Sequence, residues 1–227
     1  MLFTLLQTGA EVAAPVAQEM HFSLIGMASK GGWIMIVLLI LSIIAIYIFG
    51  QKYWMIRKAS KLDTNFMKDI HVDMQSGHID AALTRCNEND SPVARLIEKG
   101  IARIGRPLPD IQAAVENTGN IEVAKLEKSL PLLATIAGGA PMIGFLGTVI
   151  GMIEAFFNMS TAGNNIDISL LSGGIYTAMI TTVGGLFVGI IAYFGYNYLT
   201  AKISNLVDTM EDTTMEFMNM LYEPQKK

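Results

Sequence analysis

The chain has 227 residues, a formal net charge of −4 and an isoelectric point near 5.4, with 16% charged residues and a mean hydropathy of +0.42. An acidic balance without a basic face excludes a dedicated nucleic-acid binder, and a single cysteine, Cys86, excludes an intrachain disulfide or a cysteine metal cluster. A soluble domain carries about a quarter of charged residues, so a chain this apolar points to segments buried in lipid.

Residues 1–32 hold one basic residue, Lys30, and their mildly apolar start lacks the basic flank of a signal peptide, so no cleaved leader is expected. Trp33 to Phe49 then runs 17 residues with Ser42 as its one clearly polar side chain. That is the lower limit of about 17 helical residues for a hydrocarbon core of about 30 Å. A first transmembrane helix is predicted over 33–50.

Residues 51–130 read as a water-facing helical domain. Phe66, Ile70 and Met74, then Ile79, Leu83 and Cys86, recur at helical intervals with Gly77 as the break. Ser91 before Pro92 supplies a cap and a first turn for the next helix. A further helix starts near Asp110 and runs through Leu126 and Leu130 into the second apolar stretch. Cys86 is expected to be a small buried apolar residue. His71 and His78 lack a third ligand, so they read as solvated histidines rather than a metal site. There is no phosphate loop, no G-x-S-x-G elbow and no H-E-x-x-H, so neither catalysis nor a cofactor is expected.

Ser129 to Phe157 spans 29 residues with Glu154 as its one charge, and Ile168 to Leu199 spans 32 with none. As helices they would measure about 43 and 48 Å, more than a bilayer needs, so both should project beyond one face of it. The predicted fold is all-α: an integral membrane protein with three transmembrane helices, two of them long and extending into a cytoplasmic helical domain. The second and third spans are placed at 131–157 and 169–197, joined by an outer loop at 158–168 and followed by a C-terminal helix at 198–227. Twelve of the sixteen Lys and Arg residues fall in 51–128 and none in 158–167. The positive-inside rule therefore puts the helical domain and C-terminus in the cytoplasm and the N-terminus outside.

The two long spans carry a repeated small-residue pattern. Gly144, Gly147, Thr148 and Gly151 share one helical face. In the third span Gly174, Thr177, Ala178, Thr181, Gly185 and Val188 do the same, with Thr182 and Gly189 beside them. Small residues at this spacing let helices approach closely in lipid, and the glycines read as packing residues. Each threonine hydroxyl can simply bond back to a carbonyl four residues earlier. Thr148 and Thr182, however, fall at similar, near-central depth, so antiparallel helices would present two hydroxyls at one level. Glu154 lies near the outer end, as an interfacial charge or as an entry point for protons.

"APMIGFLGTVIGMIEAF" (Ala140–Phe156) and "GIYTAMITTVGGLFVGIIAYFGYNYL" (Gly174–Leu199) resemble the second and third membrane helices of the MotA/TolQ/ExbB proton-channel family. "HIDAALTRCNENDSPVARLIEKGIARIGRP" (His78–Pro107) resembles the cytoplasmic part of its TolQ/ExbB branch. Three spans rather than four, and an outer N-terminal segment, lean toward the ExbB-like members. The resemblance implies a homopentamer in the bacterial inner membrane, surrounded by lipid, whose second and third helices line a pore around an ExbD-like single-span partner that supplies an Asp. A TonB-like transducer would receive the work. It also implies that Thr148 and Thr182 line the pore, with Thr181, Thr177 and Glu154 as further candidates for the proton path. Gly144, Gly147, Gly151, Gly174 and Gly185 are the packing positions. Many relatives carry a glutamate where this chain has Thr177, so a mechanism needing that carboxylate within this subunit does not apply. A TolQ-like role in envelope maintenance and a non-conducting scaffold are the alternatives.

Overall fold

The computed structural model describes residues 31–60, 65–161 and 168–222. The predicted N-terminal segment, most of the outer loop and the last five residues lie outside the described residues. Among the described residues every regular element is a helix, and three of the helices are long and apolar enough to cross a membrane.

Helix α1 (Gly32–Ala59) runs well beyond the span expected over 33–50. Hydropathy ends where Gln51 and Lys52 begin, but those residues favour a helix and nothing stops it. Ile34, Leu38, Ala45 and Ile48 are buried, whereas Ile36, Leu39, Ile40 and Ile43 face outward, as on a lipid-exposed helix. Trp33 and Trp54 are also exposed. At 1.5 Å per residue they stand about 32 Å apart, close to the hydrocarbon thickness, as aromatic anchors at the two interfaces.

Four helices form a small domain at the Trp54 end: α2 (Phe66–Gln75), α3 (Ile79–Glu88), α4 (Pro92–Ile101) and α5 (Leu108–Glu127). Gly77, at φ +75°, makes the turn between α2 and α3, a conformation that glycine adopts without steric cost. The Ala94 N–H donates to Ser91 Oγ at 3.1 Å, so the expected cap before Pro92 is present. Ile70, Ala82, Cys86, Ile97, Ile101 and Val115 build the core, closed by Phe217 from the last helix. Burial first, and the Glu98 charge second, push the Cys86 thiol up to about 12. It is inert at neutral pH. Glu122, nearly buried, receives Arg95 at 2.6 Å and Lys125 at 2.7 Å. Burial alone would raise its pKa, but these two cations hold it below the ordinary carboxylate range.

Helices α6 (Leu130–Thr161) and α7 (Ile168–Tyr222) are the long pair. The run from α5 into α6 is nearly continuous, with a two-residue turn at 128–129. Pro131 explains it. Proline lacks the N–H that would reach Glu127 O, and it disfavours helical geometry at the residue before it. The carbonyls at the end of α5 therefore need other donors. Lys52 of α1 is buried and supplies them, with Nζ at 3.0 Å from Lys125 O and 2.9 Å from Leu126 O. Lys52→Met, which keeps the stem, leaves those carbonyls unpaired and is expected to cost about 1–3 kcal/mol. A lowered midpoint in detergent-solubilised thermal unfolding checks this, and an unchanged midpoint would show that water replaces the ammonium.

Candidate functional site

The α6–α7 seam is built where side chains are smallest. A Cβ added at Gly144 would stand 2.8 Å from Thr181 O, and one at Gly185 would stand 2.6 Å from Ala140 O. Gly151 meets Ala178, Gly174 meets Ala155, and Gly147 abuts the Thr181 side chain. As numbering rises along α6 its partners fall along α7, so the helices are antiparallel. The five predicted packing glycines all lie on this seam. Pro141 adds a contact that the small-residue pattern did not flag. Its ring packs on Gly189, beside Ala137 O, the carbonyl that Pro141 cannot serve with an N–H.

Close approach brings backbone carbonyls and hydroxyls together. Thr148 Oγ1 and Thr182 Oγ1 are hydrogen-bonded to each other. Thr182 Oγ1 also donates to Gly144 O at 3.2 Å, and Thr148 Oγ1 lies 3.3 Å from Ala178 O and 3.4 Å from Gly144 O. Both side chains are half-buried, so one side of the pair opens outward from the seam. Thr181 is different. It is 2% exposed and donates to Ala178 O at 2.7 Å, filling the centre of the interface.

The remaining candidates stand elsewhere. At about 100° per residue, Thr177 lies about 140° around α7 from Thr182, and Glu154 about 120° around α6 from Thr148. Both therefore fall on the opposite flank of the seam, and Glu154 is exposed there. No Asp, Glu or His other than Glu154 occurs in α6 or in α7 before Asp208. Hydroxyls donate and accept hydrogen bonds but do not carry a proton as a titrating group does. The paired threonines can solvate a charge brought to them, and not hold one of their own. Among the described residues no cluster of His, Cys, Asp or Glu could bind a metal.

A multi-pass membrane protein with two long antiparallel helices and a hydroxyl pair deep in their seam is thus defined by its residues alone. The chain belongs to the MotA/TolQ/ExbB proton channel family, whose model matches residues 88–212. An ExbB homolog of Methanothermobacter thermautotrophicus, named for biopolymer transport, is 31% identical over 175 residues, 74% of this chain and 62% of that protein. An ExbB-like biopolymer transport protein of Synechocystis is 26% identical over 204 residues, 87% of this chain and 80% of its own length. The Tol-Pal system protein TolQ of Haemophilus influenzae is 35% identical over 103 residues, 45% of each chain. This chain thus spans less than two thirds of the first and third of these relatives. The matched stretch contains the whole α6–α7 seam.

Proposed function

We propose that this chain is the channel-wall subunit of a proton-driven motor in a bacterial inner membrane. Five copies would surround the transmembrane helix of an ExbD-like partner, and a TonB-like protein would take up the work for transport across the outer membrane. The Thr148–Thr182 pair carries this reading: two hydroxyls meet deep within helices that hold no carboxylate at that depth. A partner's aspartate would carry the proton and the threonine ring would solvate it. A lone charge at the bilayer centre costs about 2.5–3.5 kcal/mol on insertion scales, and a hydroxyl contact in membranes returns roughly 0.6–1.7 kcal/mol. Two or three contacts offset much of the cost. One charge crossing 100 mV releases about 2.3 kcal/mol, so a few protons suffice for a mechanical step. Thr181 would serve as wall, while Thr177 and the exposed Glu154, on the other flank, would stand apart from this hydroxyl-lined route. The TolQ relatives favour a second reading, the same machine attached to envelope maintenance, which the co-purifying transducer distinguishes.

The test is proton uptake by liposomes under an imposed potential. The chain with its co-expressed single-span partner should conduct, and the chain alone should not. Silence of the intact complex would refute the channel reading.

The orientation is proposed from the basic residues, with the α2–α5 domain inside. Single cysteines at Ser160 and Asn120, in a Cys86→Ser background, should label oppositely with a membrane-impermeant thiol reagent in cells whose outer barrier is opened. Position 160 should react and position 120 should not. The reverse pattern would invert the topology.

A further inference from the structure

A second site lies away from the threonines, where α1 and α7 leave the apolar zone at the Trp54 end. The two helices run parallel here, with Met35 beside Gly184 and Phe49 beside Gly195. Phe49, Tyr53 and Tyr198 form an aromatic cluster with ring centroids 6.2–6.4 Å apart. Just beyond it is a cleft of about 180 Å³, lined by Tyr53, Arg57, Ser60, Tyr198 and Lys202. Lys202 Nζ lies 5.9 Å from the Tyr198 ring centroid. Among the described residues neither Arg57 nor Lys202 is paired with a carboxylate, although the neighbouring Lys58 is held by Asp90 at 2.6 Å. Two cations and three hydroxyl-bearing side chains thus converge on one opening, with no anion of the described chain to satisfy them.

We infer that this cleft binds the phosphate of an anionic phospholipid in the leaflet on the side of the α2–α5 domain. Arg57 presents a guanidinium suited to two phosphate oxygens, Lys202 adds a compact charge, and the hydroxyls can donate to the same oxygens. Depth argues for a lipid rather than a soluble anion. Trp54, 80% exposed, marks the interface on the neighbouring turn of α1. Ile46 and Phe194, both exposed, continue the apolar surface from the aromatic cluster toward the bilayer centre, where acyl chains would lie. Lysine and arginine beside a bilayer commonly reach their charges up to the headgroups in this way.

The experiment uses the purified complex in neutral detergent, with bound lipid counted by native mass spectrometry. The probes are phosphatidylglycerol, phosphatidylcholine and soluble glycerol 3-phosphate. Phosphatidylglycerol should be retained on the order of thirtyfold better than phosphatidylcholine, the effect of two cations near an anionic surface. The double variant Arg57→Gln/Lys202→Gln should erase that preference at unchanged helicity and oligomer mass, and each single variant should lose about fivefold. The exposed pair Arg103→Gln/Arg106→Gln, in the turn before α5, should leave it intact. Equal retention of both lipids would overturn the proposal. So would an equal loss in the Arg103/Arg106 variant, which would mean diffuse attraction. Displacement of the lipid by glycerol 3-phosphate would make this a site for free phosphate. A changed oligomer mass with lipid preference intact would assign the two cations to carboxylates of a second copy.

Discussion

Thr148→Val and Thr182→Val should each assemble at wild-type oligomer mass with partner bound and yet lose proton flux, by roughly three- to twentyfold per hydroxyl. Valine keeps the shape of threonine and removes the polar contact. Thr148→Ser and Thr182→Ser keep the hydroxyl, lose a methyl group and should retain most of the flux. If the threonines only pack, the order reverses, because valine fills the seam and serine leaves a void. Partner-dependent uptake into liposomes, measured with oligomer mass for all four variants, decides between them. Wild-type flux in the valine variants would leave the pair as seam filler. Thr181→Val offers an internal comparison. It removes a bond to Ala178 O from the centre of the interface, so its effect should fall on stability before conduction.

Gly185→Ala should be the most damaging single methyl in the membrane region. The new carbon would lie 2.6 Å from Ala140 O and 2.8 Å from Gly144 Cα, and both obstacles are backbone that cannot rotate aside. The helices must separate, at an overpacking cost of about 1–3 kcal/mol. That separation would also part the Thr148 and Thr182 hydroxyls, so flux and unfolding midpoint should drop together. Gly50→Ala is the control. It has nothing within 4 Å and should leave the midpoint level or raise it slightly, as alanine favours a helix. Normal melting and normal flux in Gly185→Ala would mean that the seam is looser than these distances require.

Much of this was legible in the amino-acid order because lipid imposes coarse rules. Runs of 17, 29 and 32 nearly uncharged residues announce three spans, and the Ser91–Pro92 cap and the Gly77 break are local chemistry. The depth match of Thr148 and Thr182 came from counting along two helices. What counting could not supply was rotation. Thr181 and Thr182 are adjacent in the chain, yet one fills the seam and the other opens from it, and the difference depends on how α7 is turned against α6. Lys52 was illegible for another reason. By its neighbours it is an ordinary lysine at a membrane edge, and its carbonyl partners are 73 and 74 positions away. The overrun of α1 to Ala59 was hidden because hydropathy reports the lipid and not the helix.

The uninterrupted course of α7 has a mechanical consequence. Its 55 residues make a rod of about 82 Å, with no proline along its length. From Thr200 onward some 35 Å of it stand clear of the apolar stretch. A tilt of about 5° at Thr200 would therefore sweep its far end through about 3 Å. Phe217, wedged against Gly100, lies near that far end and would drag the small domain with it. The chain reaching α6 has a joint just before Pro131, so it can bend where α7 cannot. A rigid rod beside a jointed one is an asymmetry by which any small displacement in the membrane would be larger at the far end of α7 than where it began.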